Sequence, residues 1–407
     1  MKIDNIYAFL GVFLKLSVGS AYYFISKMIT QTCSFAIDFD PTAPIAANKK
    51  NHCKNGMTPF KKPFFLSTVV FGSMCLALVY FVIFRRKKVA PSTYNMRMIR
   101  LMFIPSTLEC VAFCLGIYAQ ILMALSLAMI MKGVKVVFSA IFTVTFLKRK
   151  QYMFHWFSVG LCLAGLAVAG GSEYLNNPDD AGTVIWGCTL LLASECMKAF
   201  HVIYDEMMMK TNKCDVMFVV GMEGIYSILL LLPTLFIVWL SIPGKQNGSL
   251  ESLSDSFYRI ENSSMLTVLF SILPAIVVVL AVAGVMVIKY LTGVHNALIS
   301  VTRSAVIWAL ELLFFYCAPS DLGETYGKPW GPFSPLRSAG FIMVVLSTLM
   351  YDEDIKLPRF FEYPSKVLDT SSEEDAVEGK TIESIAANIS DPSSKLDPIE
   401  ERSPAKP

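Results

Sequence analysis

The chain has 407 residues, 54% of them hydrophobic and only 16% charged, with a mean hydropathy of +0.54. That composition excludes an ordinary soluble domain and fits a chain whose solvent is lipid. The net charge of +3 is too small to indicate a nucleic-acid partner, and no basic run is interleaved with aromatics as a nucleic-acid groove requires.

In chain order, apolar runs at 6–30, 64–84, 99–119, 122–147, 153–172, 183–204, 216–241, 265–290, 294–317 and 335–351 each predict a membrane-spanning helix, ten in all. No small-residue cleavage site follows the first run, so it is read as an uncleaved span and not a signal peptide. The loop at 31–62 contains Cys33 and Cys53. A disulfide between them is chemically allowed in a non-cytosolic loop, and whether it forms stays open at this stage. The other spans hold Cys75, Cys110, Cys114, Cys162, Cys188 and Cys196, read as core filling. No His or carboxylate cluster accompanies Cys110 and Cys114, so no metal site and no cofactor are expected.

Lys and Arg in short loops set the orientation. Arg85, Arg86, Lys87, Lys88, Arg97 and Arg100, then Lys148, Arg149 and Lys150, then Lys356, Arg359 and Lys366 all fall on one side of a ten-span chain. That side is expected to be cytosolic, with both termini. Lys49, Lys50, Lys54, Lys61 and Lys62 in the first loop oppose this but are outnumbered. Sequons at Asn247 and Asn262 fall on the opposite, luminal side. From 353 to 407 the chain is rich in Ser, Pro and acids, including Ser371-Ser372-Glu373-Glu374-Asp375, and predicts a disordered acidic cytosolic tail.

Charges inside the spans carry the functional signal, because each costs about 2.5 to 3.5 kcal/mol at bilayer depth and normally faces a polar cavity. Lys132 and Arg303 sit about two turns into the fourth and ninth runs, at corresponding places in the two halves. Lys135 is close enough to Lys132 to line the same cavity. Glu223, between Gly221 and Gly224, reads as a partner for a buried cation, a proton-coupling group, or a carboxylate at a helix start. Glu311, two turns past Arg303, reads more readily as half of a structural ion pair than as a substrate contact. Glu195, Lys198, His201 and Asp205 recur at helical spacing and must face protein or water. Lys15 and Glu109 are placed for a cavity or for one another, and Tyr118 and Tyr226 for stacking on a planar ligand or for packing. Ala281, Ala283 and Gly284 are read as close helix packing.

The ten spans divide into halves of five, 1–175 and 176–352. An odd number per half inverts the second copy, giving two inverted repeats in an all-α polytopic membrane protein. Here the chain resembles the drug/metabolite transporter (EamA-type) superfamily, and within it the nucleotide-sugar-transporter-like solute-carrier family 35, F subgroup. The resemblance rests on Met131-Lys132-Gly133-Val134-Lys135-Val136-Val137-Phe138 with the Leu147-Lys148-Arg149 exit, on Gly221-Met222-Glu223-Gly224, and on Thr302-Arg303-Ser304-Ala305-Val306-Ile307-Trp308-Ala309-Leu310. It implies an alternating-access carrier or antiporter in an endomembrane, lysosomal, vacuolar or Golgi, moving an anionic or nucleotide-like metabolite such as a nucleotide sugar. The subgroup usually has Arg where this chain has Lys132, and the Phe-Tyr-Asn-Asn motif of proven nucleotide-sugar transporters is absent.

The expected partners are a small anionic solute and the lipid bilayer, with a homodimer open. An amino-acid or peptide carrier and a non-transporting scaffold with the carrier fold are the alternatives. No nucleophile–base pair or Gly-rich phosphate loop suggests an enzyme.

Overall fold

In a computed structural model the chain is described over residues 3–37, 53, 57–86, 96–122, 125–174, 181–212, 214–241, 251–317, 327 and 329–355. The sequon at Asn247, the tail beyond 355 and Lys49, Lys50 and Lys54 lie outside those residues.

Lipid offers no partner for backbone N–H and C=O groups, so long apolar runs close their hydrogen bonds internally as helices. They form α1 (Ile3–Gln31), α2 (Pro63–Tyr80, extended by a π-helical turn over Phe81–Arg85), α3 (Met96–Leu101), α4 (Phe103–Leu122), α5 (Leu125–Phe146), α6 (Met153–Tyr174), α7 (Ala181–Asn212), α8 (Val216–Ser241), α9 (Leu253–Glu261), α10 (Ser264–Tyr290), α11 (Gly293–Cys317) and α12 (Ser334–Tyr351). Eight helices among the described residues are long and apolar enough to cross a membrane, with α3 and α4 counted as one span. The protein is therefore all-α and polytopic. Helices α5 and α7 are of comparable or greater length, and α7 carries Glu195 near its middle and Lys198, Asp205, Glu206 and Lys210 in its second half.

Two features differ from the sequence expectation. The third apolar run is broken at the buried Met102 into α3 and α4. The connection after α8, which holds no apolar run, contains α9. A local signal for it was present: Ser252 caps α9 and accepts from the Asp255 N–H, three residues on.

The helices pack in a regular set of pairs. α1 lies on α10, α2 on α8, α4 on α7, and α6 on α12, while α5 touches α6, α7 and α11. α11 in turn meets α1 and α12, and α10 and α4 meet α2 and α8 respectively. Where α6 crosses α12, a Cβ on Gly340 would lie 2.5 Å from the Gly165 carbonyl oxygen, so this approach requires glycine. One apolar cluster joins α2, α8 and α10 through Phe71, Met74, Phe218 and Val277, and a second joins α5, α6, α11 and α12 through Val136, Leu166, Leu298 and Val344.

At one end of the bundle a charged cap closes the fold. Cys33 and Cys53 are disulfide-bonded, and Cys33–Ser34 pairs antiparallel with Thr58–Pro59. Arg259 of α9 donates to Thr58 Oγ1 at 2.8 Å and to the Thr58 carbonyl at 3.2 Å. Asp255 accepts from Arg259 at 2.8 Å and from the Ile37 N–H at 2.9 Å, and pairs with Lys62 at 2.7 Å. Glu251 accepts from the Phe64 and Phe65 N–H groups, satisfying free donors at the start of α2.

Candidate functional site

A cavity of about 300 Å³ opens among α1, α2, α4, α5, α7, α8, α10 and α11. Its walls are apolar on the α2 and α10 sides and charged elsewhere. The cations come from four helices: Lys15 from α1, Lys135 from α5, Lys198 from α7 and Arg303 from α11.

Local sequence explains how these groups reach the cavity. On α1, Lys15, Gly19 and Tyr22 are spaced to share one face. Lys15 is 5% exposed and donates to the Asn296 backbone oxygen at 2.6 Å and to its side-chain oxygen, which holds α1 against the start of α11. Gly19 makes room for Arg303: a Cβ there would lie 2.7 Å from Arg303 Nη1 and 2.8 Å from its Cδ. Gly284 also differs from expectation. It lines the cavity rather than packing a helix, and a Cβ there would meet nothing within 4 Å.

Lys135, and not Lys132, lines the cavity together with Arg303. Lys135 stands ten residues after Leu125, the start of α5, and Arg303 ten residues after Gly293, the start of α11. Lys132 is half-buried one turn away and is not among the residues that line the cavity.

The other end of the cavity is acidic. His201 and Asp205 come from α7, Glu223 from α8 and Glu109 from α4. His201 Nε2 lies 3.1 Å from Asp205 Oδ2, 3.4 Å from Glu223 Oε1 and 3.9 Å from Glu109 Oε2. Gly221 and Gly224 pack against Leu78, Met74 and Cys75 of α2, and Glu223 between them projects into the cavity. Along α7, Glu195 and Lys198 pair at 2.8 Å.

Tyr118 and Tyr226, weighed for stacking on a ligand, do not line the cavity, and Glu311 forms the structural ion pair that its position suggested. Glu311 pairs with Lys27 at 2.6 Å and accepts from Tyr23 at 3.2 Å. Tyr118 is 54% exposed. Tyr226 donates to the Ile99 carbonyl at 3.0 Å and packs edge-on against Phe103. Sequence reading missed Lys27, Tyr22, Asn296 and Glu206. Glu206 is fully buried and accepts from the Gly293 N–H at 2.6 Å, Lys210 at 2.8 Å and Arg149 at 3.1 Å, which fixes the end of α7 to the start of α11. A carboxylate beside a charged loop gave no sign of this from sequence. Asn262 is exposed at the end of α9.

Outside the membrane helices, burial shifts the cap groups. Burial raises Asp255, but the Lys62 and Ile37 hydrogen bonds and the charges of Lys62 and Arg259 outweigh it and hold the carboxyl below its usual range. Burial depresses Lys62 despite Asp255, and raises Glu251 despite its two backbone N–H donors.

Residues 48–258, just over half of the chain, match the family described as CRT-like, chloroquine-resistance transporter-like. The chain belongs to the CRT-like family. Solute carrier family 35 member F6 of Rattus norvegicus is 25% identical over 305 residues, 72% of this chain and 78% of that protein. The Homo sapiens protein of the same name is 26% identical over 229 residues, 54% of this chain and 58% of that one. An uncharacterized Schizosaccharomyces pombe protein is 21% identical over 299 residues, covering 71% and 86% respectively. A solved crystal structure superposes with a TM-score of 0.52 at 10% identity, covering 85% of this chain and 95% of that one, a likeness of fold alone. This CRT-like chain is thus a multi-pass membrane protein of a transporter family. The expected resemblance to the F subgroup of solute-carrier family 35 agrees with these relatives.

Proposed function

We propose that this protein is a secondary carrier that moves a small anionic metabolite across an organelle membrane by alternating access. The observation that carries this reading is the convergence of Lys15, Lys135 and Arg303 from three helices on one cavity. Each charge is costly at membrane depth, and a shared anion compensates all three at once. At about 300 Å³ the cavity is at the lower end of small-molecule sites, which favours a compact anion over a whole nucleotide sugar. The acid groups facing the cations favour, as a second reading, a zwitterion such as an amino acid or short peptide.

The carrier is built of ten membrane helices in two inverted repeats of five, with α1, α2, α4, α5 and α6 matching α7, α8, α10, α11 and α12. The helix pairs support this: α4 with α7 answers α10 with α1, α5 with α6 answers α11 with α12, and α2 with α10 answers α8 with α4. α2 with α8, α5 with α11 and α6 with α12 map onto themselves. Both termini are cytosolic. The Cys33–Cys53 disulfide and the exposed sequon at Asn262 lie at one end of the bundle, as oxidation and glycosylation in a lumen require.

Thermal shift of the purified protein against nucleotide sugars, nucleotides, small dicarboxylates and amino acids tests the reading. Stabilisation by an anion, lost in Arg303→Gln, is expected. No stabilisation by any anion of the panel, or stabilisation that survives in Arg303→Gln, would overturn it.

A further inference from the structure

The acidic end of the cavity has no part in holding an anion. His201, Asp205 and Glu223 are 8%, 1% and 3% exposed, and only the Glu109 side chain, at 30%, is appreciably open. His201 Nε2, both Asp205 carboxylate oxygens, Glu223 Oε1 and Glu109 Oε2 make no hydrogen bond among the described residues. Three carboxyl groups and one imidazole thus share this end of the cavity with these polar atoms unpaired. Of the cations that line the cavity, Lys198 pairs with Glu195 and Lys15 donates to Asn296.

The spacing fits a small metal ion. Bonds of about 2.1 Å to nitrogen and oxygen in a tetrahedral shell set neighbouring donor atoms about 3.4 Å apart. The three carboxylate oxygens lie 3.1, 3.4 and 3.9 Å from His201 Nε2, and the Glu109, His201 and Glu223 donor atoms all fall within 4.8 Å of one another. A bare ion pair would instead draw one oxygen into hydrogen-bond alignment with the imidazole and leave the others turned away.

We infer that Glu109, His201 and Glu223 form a binding site for one divalent transition-metal cation of the zinc, manganese or ferrous class, with Asp205 beside His201. Imidazole among the donors selects these metals over calcium and magnesium, which prefer oxygen alone. Three helices, α4, α7 and α8, each supply a ligand, so the metal ties them together at one end of the cavity. Glu109 stands at the exposed edge, where an ion from the cavity would enter. Sequence reading expected no metal site, because the ligands are separated by up to 114 positions and only one is histidine.

The test uses the purified full-length protein, stripped with a chelator and dialysed separately against Zn²⁺, Mn²⁺ and Mg²⁺ with no organic solute present. One equivalent of Zn²⁺ or Mn²⁺ per chain is expected, with no stoichiometric Mg²⁺. Affinity should fall at least tenfold in Glu223→Gln and in His201→Gln, and stay unchanged in Cys110→Ser. X-ray absorption of the zinc form should show nitrogen and oxygen neighbours only. Absence of stoichiometric metal, sulfur neighbours, or unchanged affinity in both ligand variants would overturn the site. Metal-free melting is recorded for each variant, and Glu109→Gln, the least buried ligand, replaces any that fails to fold. Because no solute is used, the outcome is independent of the anion proposal.

Discussion

Lys27 Nζ of α1 lies 2.6 Å from a Glu311 carboxylate oxygen of α11, with the two side chains 14% and 6% exposed. This pair accounts for Glu311 and leaves Arg303, two turns earlier on α11, directed at the cavity. Removing one partner of a buried pair strands the other charge. Glu311→Gln or Lys27→Met alone should therefore cost about 3 to 5 kcal/mol, whereas changing both should recover most of the loss. Thermal melting of the detergent-solubilised variants checks this. A double variant as unstable as the singles would show that the pair itself is not the source.

Arg303 should behave in the opposite way. It occupies the ligand cavity, so Arg303→Gln should keep the melting temperature and abolish stabilisation by an anionic solute. The same logic applies one helix away. Gly19→Ala places a methyl 2.7 Å from Arg303 Nη1 and should weaken anion binding at least tenfold by displacing the guanidinium, with little change in stability. Ligand-dependent melting curves of the two variants distinguish displacement from unfolding.

The cap makes a prediction in pH. The Asp255 carboxyl titrates below its usual value in the folded protein, so its stabilisation is present above about pH 3.9 and is lost as pH falls through the lower, folded value. Glu251 is shifted the other way, so total stability is the wrong readout. The difference between wild type and Asp255→Asn cancels Glu251. It should stay near 3 to 5 kcal/mol, to order of magnitude, from pH 8 to 5 and narrow only below about pH 4. A difference that closes between pH 7 and 5 would contradict the pairing with Lys62.

The disulfide spans a separation of 20 residues in the same cap. Opening it by Cys33→Ser with Cys53→Ser should cost about 2 to 4 kcal/mol through the freed loop. Denaturant unfolding of oxidised and reduced wild type against the double variant measures it, and reduction should not further weaken the variant.

Depth along each helix was legible in the sequence; rotation about its axis was not. The run at 294–317 became α11 at Gly293–Cys317, and that at 265–290 became α10 at Ser264–Tyr290, because length and hydrophobicity fix a span. The stripe Glu195, Lys198, His201 and Asp205 was visible by its period, and three of its members line the cavity. Lys132 and Lys135 differ by less than one turn, and only the packing of α5 against α11 decides that Lys135 faces inward. Lys27 and Glu206 were invisible for a related reason: their partners are brought together by tertiary packing from distant positions.

The most direct measurement is uptake of anionic metabolites into liposomes containing the purified protein, comparing wild type with Lys135→Gln, Arg303→Gln and Lys132→Gln. The account predicts that Lys135→Gln and Arg303→Gln each reduce uptake at least tenfold while remaining folded, and that Lys132→Gln retains most of it, since Lys132 does not line the cavity. Full transport by both cavity variants, or loss confined to Lys132→Gln, would contradict it.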